Sequence, residues 1–322
     1  MHLGFLLDLR NPPRWEQPWS HHYRQALERI EQLEAWGAGS VWLTEHHLFE
    51  DGYLPQPLTF AAAVAARTRR IRIGTGIVLA ALRHPVHVAE EATVVDLLSE
   101  GRLELGIGAG YAPAEYQLFG ADIAHRFTLT DTAVAEIRRL LDDGGVTPAP
   151  IQRPFPIWLG YQGPQGARRA GRLGVGLLSL DRALLDSYRQ GLVDGGHSPD
   201  SARMGGLLEL IVADDPESTR ERLVPFYAHQ VNTYRRARFE GTDRPVPSDL
   251  PDETVRSLIR TDAEGPGLAV VDVDGAVEAI RRRTADLPVE HVYLWGSVAG
   301  MPDDITERHL ELTSTRVRAA LE

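Results

Sequence analysis

Val41-Trp42-Leu43-Thr44-Glu45-His46-His47-Leu48 is the stretch of the 322-residue chain that decides the fold. It begins as an apolar run with the β-branched and aromatic composition of a buried strand. It then ends abruptly in one carboxylic acid and two histidines. A strand that delivers ionisable side chains at its carboxyl end is typical of a parallel β/α barrel, whose sites form at that end of the strands.

Seven further apolar segments surround this strand, and a helical pattern follows most of them. We predict the eight strands at residues 3–9, 41–48, 71–79, 103–108, 156–160, 176–180, 207–213 and 291–295. Alternation of strands and helices implies parallel pairing with right-handed crossovers. Eight such units close naturally into a barrel, whereas open doubly wound sheets usually stop at about six strands. The sequence therefore predicts an α/β fold, a (β/α)₈ TIM barrel with insertions.

The chain reads as a single domain over residues 1–322, because no linker or repeat divides it. Residues 214–267 are less regular, with a helix to about residue 238 and then a stretch rich in proline and acids. We interpret this segment as an excursion from the barrel and a possible lid.

Composition excludes several classes of function. The formal charge of −11 argues against a nucleic-acid or anionic-membrane partner. The absence of cysteine removes disulfides, thiolate nucleophiles and thiolate zinc sites, and it fits a cytoplasmic protein. No apolar run approaches the roughly 18 residues of a membrane helix. We therefore expect a cytoplasmic protein that acts on a small molecule.

Several other motifs join Glu45-His46-His47 in one pattern. They are residues 73–79 followed by His84-Pro85-Val86, residues 97–103 leading to Gly106-Ile107-Gly108-Ala109-Gly110-Tyr111, Phe119-Gly120, Trp158-Leu159-Gly160 and Leu294-Trp295-Gly296. Together they resemble the bacterial luciferase-like flavin-dependent oxidoreductases over nearly the whole chain. The resemblance implies a TIM barrel that binds reduced flavin at the carboxyl ends of its strands and activates oxygen on it. One branch of that family uses the deazaflavin coenzyme F420 instead and transfers hydride.

His46 matches the position of the family's catalytic histidine. Oxygen activation on a flavin needs a proton donor and acceptor that works near neutral pH, which suits imidazole. Adjacent strand residues point to opposite faces, so only one of His46 and His47 should face the pocket, and we predict His46. The other would be a structural hydrogen-bonding group. The same alternation argues against a shared metal ion, and we predict no metal site.

The resemblance also implies a place for the flavin. A non-proline cis peptide at Gly76-Ile77 would press against the flavin ring, the alternative being an ordinary barrel bulge. The glycine-rich turn at residues 160–169 leads into a helix, whose N-terminus favours a phosphate. Its alternative is a plain β–α turn. Trp295 stacks on flavin or substrate, or else packs in the barrel. The predicted cofactor contacts are Glu45, Gly76, Ile77, Gly108, Tyr111, Gln162, Gly163, Gly166, Ala167 and Trp295.

One departure from the family pattern leaves the identity of the cofactor open. In many flavin mononucleotide (FMN) enzymes of this kind, the position of Ala109 carries an arginine that meets the phosphate. The Gly-Ala-Gly-aromatic pattern found here is also common in the deazaflavin branch. Arg83, Arg126 and Arg168 are the candidates to supply the missing charge.

Three functions follow as hypotheses. The first is a monooxygenase that uses O₂ and reduced FMN, supplied by a separate flavin reductase, to oxidise a small organic substrate. The second is a coenzyme F420-dependent reductase or dehydrogenase, and the third is a flavin-binding barrel without catalysis. A metal hydrolase on the same fold is a distant fourth. The alanine-rich helix after Pro57 packs on the barrel or forms a dimer contact, and we predict a homodimer.

Overall fold

The computed structural model describes residues 1–322. Its central element is a closed barrel of parallel strands. The strands are β1 (His2–Leu7), β2 (Ser40–Leu43), β3 (Arg72–Thr75), β4 (Leu103–Ile107), β5 (Ile157–Leu159), β6 (Gly176–Leu178), β7 (Met204–Leu208), β8 (Leu210–Val212), β9 (Ile259–Arg260), β10 (Leu268–Val271) and β11 (Val289–Trp295). Eight of them close in the order β1-β11-β7-β6-β5-β4-β3-β2. Every neighbouring pair is parallel, which confirms the predicted α/β TIM barrel.

Helices follow the barrel strands and form an outer layer. They are α1 (Trp19–Trp36), α2 (Pro57–Arg67), α3 (Pro85–Ser99), α4 (Pro113–Leu118), α5 (Arg126–Asp142), α6 (Gly163–Arg172), α7 (Leu185–Asp194), α8 (Pro216–Ala237), α9 (Asp252–Leu258), α10 (Val273–Thr284), α11 (Asp303–Leu312) and α12 (Arg318–Leu321). None of these helices combines the length and the apolar character that crossing a bilayer requires.

The side chains of each barrel strand alternate between two layers. In β2, Val41 and Leu43 face the helices and belong to the large core cluster. Trp42, between them, points into the barrel and stacks on Tyr293 of β11 with ring centroids 4.7 Å apart. The strand ends at Leu43, and the three residues that follow it, Thr44, Glu45 and His46, line the mouth of the barrel.

Two glycines make room for the tryptophans that fill the barrel. A Cβ atom at Gly74 of β3 would lie 2.3 Å from the ring of Trp42, and one at Gly176 of β6 would lie 2.3 Å from the ring of Trp158. The indole N–H of Trp158 donates to a carboxylate oxygen of Glu104 at 2.7 Å. The interior is thus a packed core, and a pocket can form only above it.

The seventh predicted strand, at residues 207–213, is wrong in its bounds. Barrel strand β7 begins earlier, at Met204, and residues 210–212 form β8, which pairs with β10 in a separate three-stranded sheet. Gly205 and Gly206 made the start of β7 hard to recognise, since glycine is depleted in strands. Here the small residue is required, because a Cβ at Gly205 would lie 2.9 Å from the carbonyl oxygen of His291.

Residues 209–288 form an insertion between the last two barrel strands, β7 and β11, and the predicted excursion at 214–267 lies within it. His309 of α11 connects the two sheets. Its Nδ1 accepts the backbone N–H of Val212 at 2.8 Å, and its Nε2–H donates to the carbonyl oxygen of Trp295, also at 2.8 Å. Burial lowers the pKa of His309 to about 4, so the imidazole is neutral near neutral pH and can serve as acceptor and donor at once.

Helix α8 is fixed to the barrel by buried polar contacts. Asp51, in the loop after β2, pairs with Arg10 at 3.0 Å and with His229 of α8 at 2.7 Å. The hydroxyl groups of Tyr53 and Tyr234 are hydrogen-bonded at 2.7 Å. These contacts hold the end of α8 over the barrel mouth. A lid role for residues 214–267 stays a prediction.

Candidate active site

A cavity of about 740 Å³ opens at the carboxyl ends of the barrel strands. This volume lies in the range of small-molecule and cofactor pockets, which is about 300–1,000 Å³. Loops after β2, β3, β4 and β5 and the end of α8 build its walls. The lining residues are Thr44, Glu45, His46, Tyr53, Gly76, Ile77, Leu79, Gly108, Ala109, Gly110, Tyr111, Arg126, Phe127, Gly160, Tyr161, Gln162 and Arg238.

His46 faces the cavity and is held by a buried carboxylate. Its Nδ1 lies 2.8 Å from Oε1 of Glu115, a residue of α4 that is 1% exposed. The same oxygen accepts the backbone N–H of His47 at 2.7 Å, which fixes the carboxylate. An ionised carboxylate only accepts hydrogen bonds, so Nδ1 carries the proton in the pair. Nε2 of His46 is left without a protein partner and is available to the cavity.

His47 turns away from the cavity. Its Nε2 lies 3.0 Å from Oε1 of Glu45, and its ring packs against Phe119 with centroids 4.7 Å apart. The carboxylate of Glu45 also accepts the backbone N–H of Leu79 at 3.0 Å and pairs with Arg83 at 2.9 Å. Glu45 therefore braces three loops at the rim of the cavity, and its predicted contact with a cofactor stays a prediction.

Aromatic rings enclose His46 on its other sides. Phe49, Tyr53 and Tyr111 lie with ring centroids 4.6, 4.7 and 5.3 Å from the imidazole. The hydroxyl group of Tyr111 is buried and has no hydrogen-bond partner within the protein. Burial raises the pKa of Tyr111, so its hydroxyl stays protonated and can donate. An unpaired buried donor in a cavity wall indicates a place where a ligand oxygen would bind.

The floor of the cavity is formed around Ile77. The Gly76-Ile77 peptide bond is cis, which confirms the backbone feature that the sequence predicts. A Cβ atom at Gly108 would lie 2.7 Å from the side chain of Ile77, and one at Gly160 would lie 2.9 Å from it. Only glycine at both positions lets the Ile77 side chain lie between the ends of β4 and β5.

The glycine-rich turn after β5 enters the same cavity. Gln162 precedes the first residue of α6, and no side chain caps this helix. Gly163 has a φ of 70°, a conformation that favours glycine, and no atom lies within 4 Å of the position its Cβ would take. Gly166 packs on Tyr161, where a Cβ would come within 2.7 Å of the tyrosine Cβ. The start of α6 is therefore an open, uncapped helix N-terminus.

The arginines proposed for the missing charge differ in their partners. Arg83 pairs with Glu45, and Arg168 pairs with Asp194 at 2.7 Å outside the cavity. Arg126 lines the cavity and has no carboxylate within 4.0 Å. Its Nη1 donates to the carbonyl oxygen of Ile123 at 3.2 Å, and its guanidinium lies 4.4 Å from the centroid of Phe127. The structure thus leaves Arg126 alone among the three candidates free to meet a ligand.

Seven of the predicted site residues line the one cavity, namely Glu45, His46, Gly76, Ile77, Gly108, Tyr111 and Gln162. Gly163 is the first residue of α6, and Gly166 and Ala167 are its fourth and fifth. Trp295 lies instead in the inner core cluster with Trp42 and Tyr293 and does not line the cavity. Sequence reasoning missed Glu115, Tyr53 and Arg238. For Glu115 a signal existed, an acidic residue in the first turn of the helix that Pro113 begins, four positions after Tyr111.

Comparisons with known proteins agree with this geometry. Residues 1–288 match the family model described as luciferase-like monooxygenase. The uncharacterized protein y4wF of Sinorhizobium fredii is 32% identical over 256 residues, which cover 72% of this chain and 74% of that protein. The F420-dependent glucose-6-phosphate dehydrogenase of Amycolatopsis mediterranei is 30% identical over 191 residues, covering 53% of this chain and 57% of that enzyme.

A solved structure has the same fold over the full length. The monooxygenase RslO1 from Streptomyces bottropensis superposes with a TM-score of 0.80 at 24% identity, and the match covers 100% of both chains. Taken with the family match, these findings show that the chain belongs to the luciferase-like monooxygenase family. Members of this family are oxidoreductases, so the chain is an enzyme of that class.

Proposed function

We propose that this enzyme is an FMN-dependent monooxygenase that uses O₂ and reduced flavin to oxidise a small organic substrate. The observation that carries the proposal is the pairing of His46 with Glu115, which leaves Nε2 open to the same cavity that the α6 turn borders. A separate flavin reductase would supply the reduced cofactor.

The residues of the cavity fit a flavin. The glycines beside Ile77 leave a smooth floor for a flat ring system, which a side chain at either position would disrupt. The uncapped start of α6 offers backbone donors to a phosphate, and Arg126, which has no carboxylate partner, offers a positive charge.

Each protein group has a defined part in the proposed reaction. Reduced FMN would supply two electrons and the ring on which oxygen is activated. His46 takes up and returns a proton at Nε2, and Glu115 holds the imidazole in the tautomer that leaves this atom free. The aromatic rings around His46 and the end of α8 exclude bulk water from the reacting groups.

A coenzyme F420-dependent reductase or dehydrogenase is the second candidate. Ala109 in place of an arginine and the 30% identity to an F420-dependent dehydrogenase favour it. FMN is placed first because the family model that matches describes monooxygenases, and a deazaflavin carries hydride in place of oxygen chemistry. A flavin-binding barrel without catalysis is third, since it gives no reason for a buried carboxylate to orient His46.

We propose that the protein is a homodimer. Two apolar side chains on the outer face of α3, Val94 and Leu98, are 48% and 49% exposed. They lie one helical turn apart, and a contact between two copies of the chain would bury both of them.

Titration of the purified protein with oxidised FMN and with F420 tests the choice of cofactor. We expect FMN to bind at least about tenfold more tightly, a difference of about 1.4 kcal/mol. Tighter binding of F420 would move the second candidate to first place. Tight FMN binding, with no oxygen uptake on any substrate when reduced flavin is supplied, would favour the non-catalytic barrel.

Replacing Arg126 should weaken the binding of FMN but not that of riboflavin, which lacks the phosphate. Loss of a charged hydrogen bond of about 1.5–3 kcal/mol predicts that Arg126→Met weakens FMN binding about 10-fold to 100-fold. Riboflavin affinity should stay unchanged. Arg168→Met is the matched control, because that arginine pairs with Asp194 outside the cavity. Equal losses for FMN and riboflavin would show that Arg126 does not meet the phosphate.

A further inference from the structure

We propose that the substrate is a small organic acid whose anionic group is bound by Arg238 together with the hydroxyl of Tyr111. The inference deepens the proposed function, because it identifies the class of molecule that would meet the flavin beside His46. Nothing in the comparisons assigns a role to Arg238.

Arg238 reaches the cavity from the insertion. It is the residue directly after α8, and its guanidinium lies 5.7 Å from the centroid of the Tyr111 ring. It has no carboxylate within 4.0 Å, although the chain carries 45 acidic residues. Its neighbours differ, since Arg236 pairs with Asp249 at 2.6 Å and Arg235 donates to the carbonyl oxygen of Ser248 at 2.9 Å. Arg238 is therefore a positive charge in the cavity wall that has no acidic partner.

The two free arginines of the cavity belong to different clusters of side chains. Arg126 packs on Phe127, whose ring lies 5.5 Å from Tyr161 beside the glycine-rich turn. Arg238 packs on Tyr111, whose ring lies 5.3 Å from His46. Arg126 is thus at the end suited to the cofactor phosphate, and Arg238 is at the end where a proton is moved. A positive charge at the end of the cavity where His46 lies would therefore contact the substrate.

Tyr111 provides a second, independent observation. Its hydroxyl is buried without a partner, and the guanidinium of Arg238 lies over the same ring. A positive charge and a neutral O–H donor together match an acid group, which offers a negative charge and at least two acceptor oxygens. A neutral substrate would offer the guanidinium no charged partner.

Aromatic and apolar side chains also line the cavity, with Tyr53 and Leu79 among them. Such a wall accommodates the hydrocarbon or aromatic body of an organic acid. A carboxylate on a compact apolar body is the simplest ligand with both properties.

Pairs of carboxylates and their matched amides test the inference on the FMN-loaded enzyme. Calorimetric titration would use benzoate with benzamide, phenylacetate with phenylacetamide, and octanoate with octanamide. We expect at least one acid to bind about tenfold more tightly than its amide. Arg238→Met should remove that preference and leave the affinity for FMN unchanged, while Arg238→Lys should keep part of it. Arg244→Met is the control, because that arginine stacks on Phe239 away from the cavity.

Three results would overturn the inference. They are equal binding of acids and amides, no binding of any acid at millimolar concentration, and a loss of FMN affinity in Arg238→Met that matches the loss in Arg126→Met. Failure of the proposed function is a separate outcome, because it shows as absent FMN binding in the wild-type protein. In that case the same pairs, titrated on the cofactor-free protein, still decide whether Arg238 selects an acid.

Discussion

His46→Ala is expected to lower the rate of substrate oxidation by about 10²-fold to 10⁴-fold, the usual contribution of a general acid–base group. The reason is geometric, since Nε2 of His46 is the one imidazole nitrogen that lines the cavity and has no protein partner. FMN affinity should change little, because the predicted phosphate contacts lie on the α6 turn. The measurement is turnover with reduced FMN and O₂, together with a fluorescence titration of FMN.

The neighbouring histidine provides the matched control. His47 is part of the same motif but bonds to Glu45 and packs on Phe119, away from the cavity. His47→Ala should therefore keep turnover within a few-fold of the wild type, once the folded fraction is corrected for. Unchanged turnover in His46→Ala would remove this residue from the mechanism. A greater loss in His47→Ala than in His46→Ala would mean that the wrong histidine has been chosen.

Glu115→Gln is expected to lower turnover roughly 10²-fold while leaving the affinity for FMN unchanged, because the side chain touches His46 and not the cavity. An amide can donate as well as accept, so the imidazole loses its preference for the tautomer with the proton on Nδ1. Nitrogen-15 NMR of the imidazole should show one tautomer in the wild type and a mixture in the variant.

A surface carboxylate serves as the control for this change. Glu136 pairs with Arg139 on the exposed face of α5, and Glu136→Gln makes the same chemical change away from the cavity. We expect no change in turnover there. Should Glu115→Gln reduce only the folded fraction, with the tautomer and the rate per folded molecule unchanged, Glu115 would be a structural residue and not a positioning one.

The barrel and the histidine could be predicted from the sequence because both depend on local periodicity. Alternation along β2 places Trp42 inside the barrel. His46 lies at the mouth because it follows the carboxyl end of the same strand by three residues. The start of α6 was equally accessible, since glycines at residues 160, 163 and 166 mark an open turn before a helix. These parts of the site lie on single strands and on the turns that follow them.

The remaining parts of the site depend on contacts between distant segments. Glu115 reaches His46 across 69 residues of sequence, and Arg238 reaches Tyr111 only because buried contacts of Asp51 and Tyr53 fix α8 over the barrel. The periodicity of apolar residues along the sequence does not predict contacts between segments that are far apart in the chain. For the same reason, the sequence left open whether the indole of Trp295 faces a ligand or packs inside the barrel. It ends a barrel strand, but packing in the inner core cluster decides where its indole lies.

A crystal structure of the protein soaked with FMN tests the central claim most directly. The account predicts a flavin ring against Ile77 at the Gly76-Ile77 peptide, within reach of Nε2 of His46, and a phosphate bound by the first turn of α6 and by Arg126. A ring bound elsewhere, or a phosphate at the opposite rim of the barrel from that turn, would contradict it.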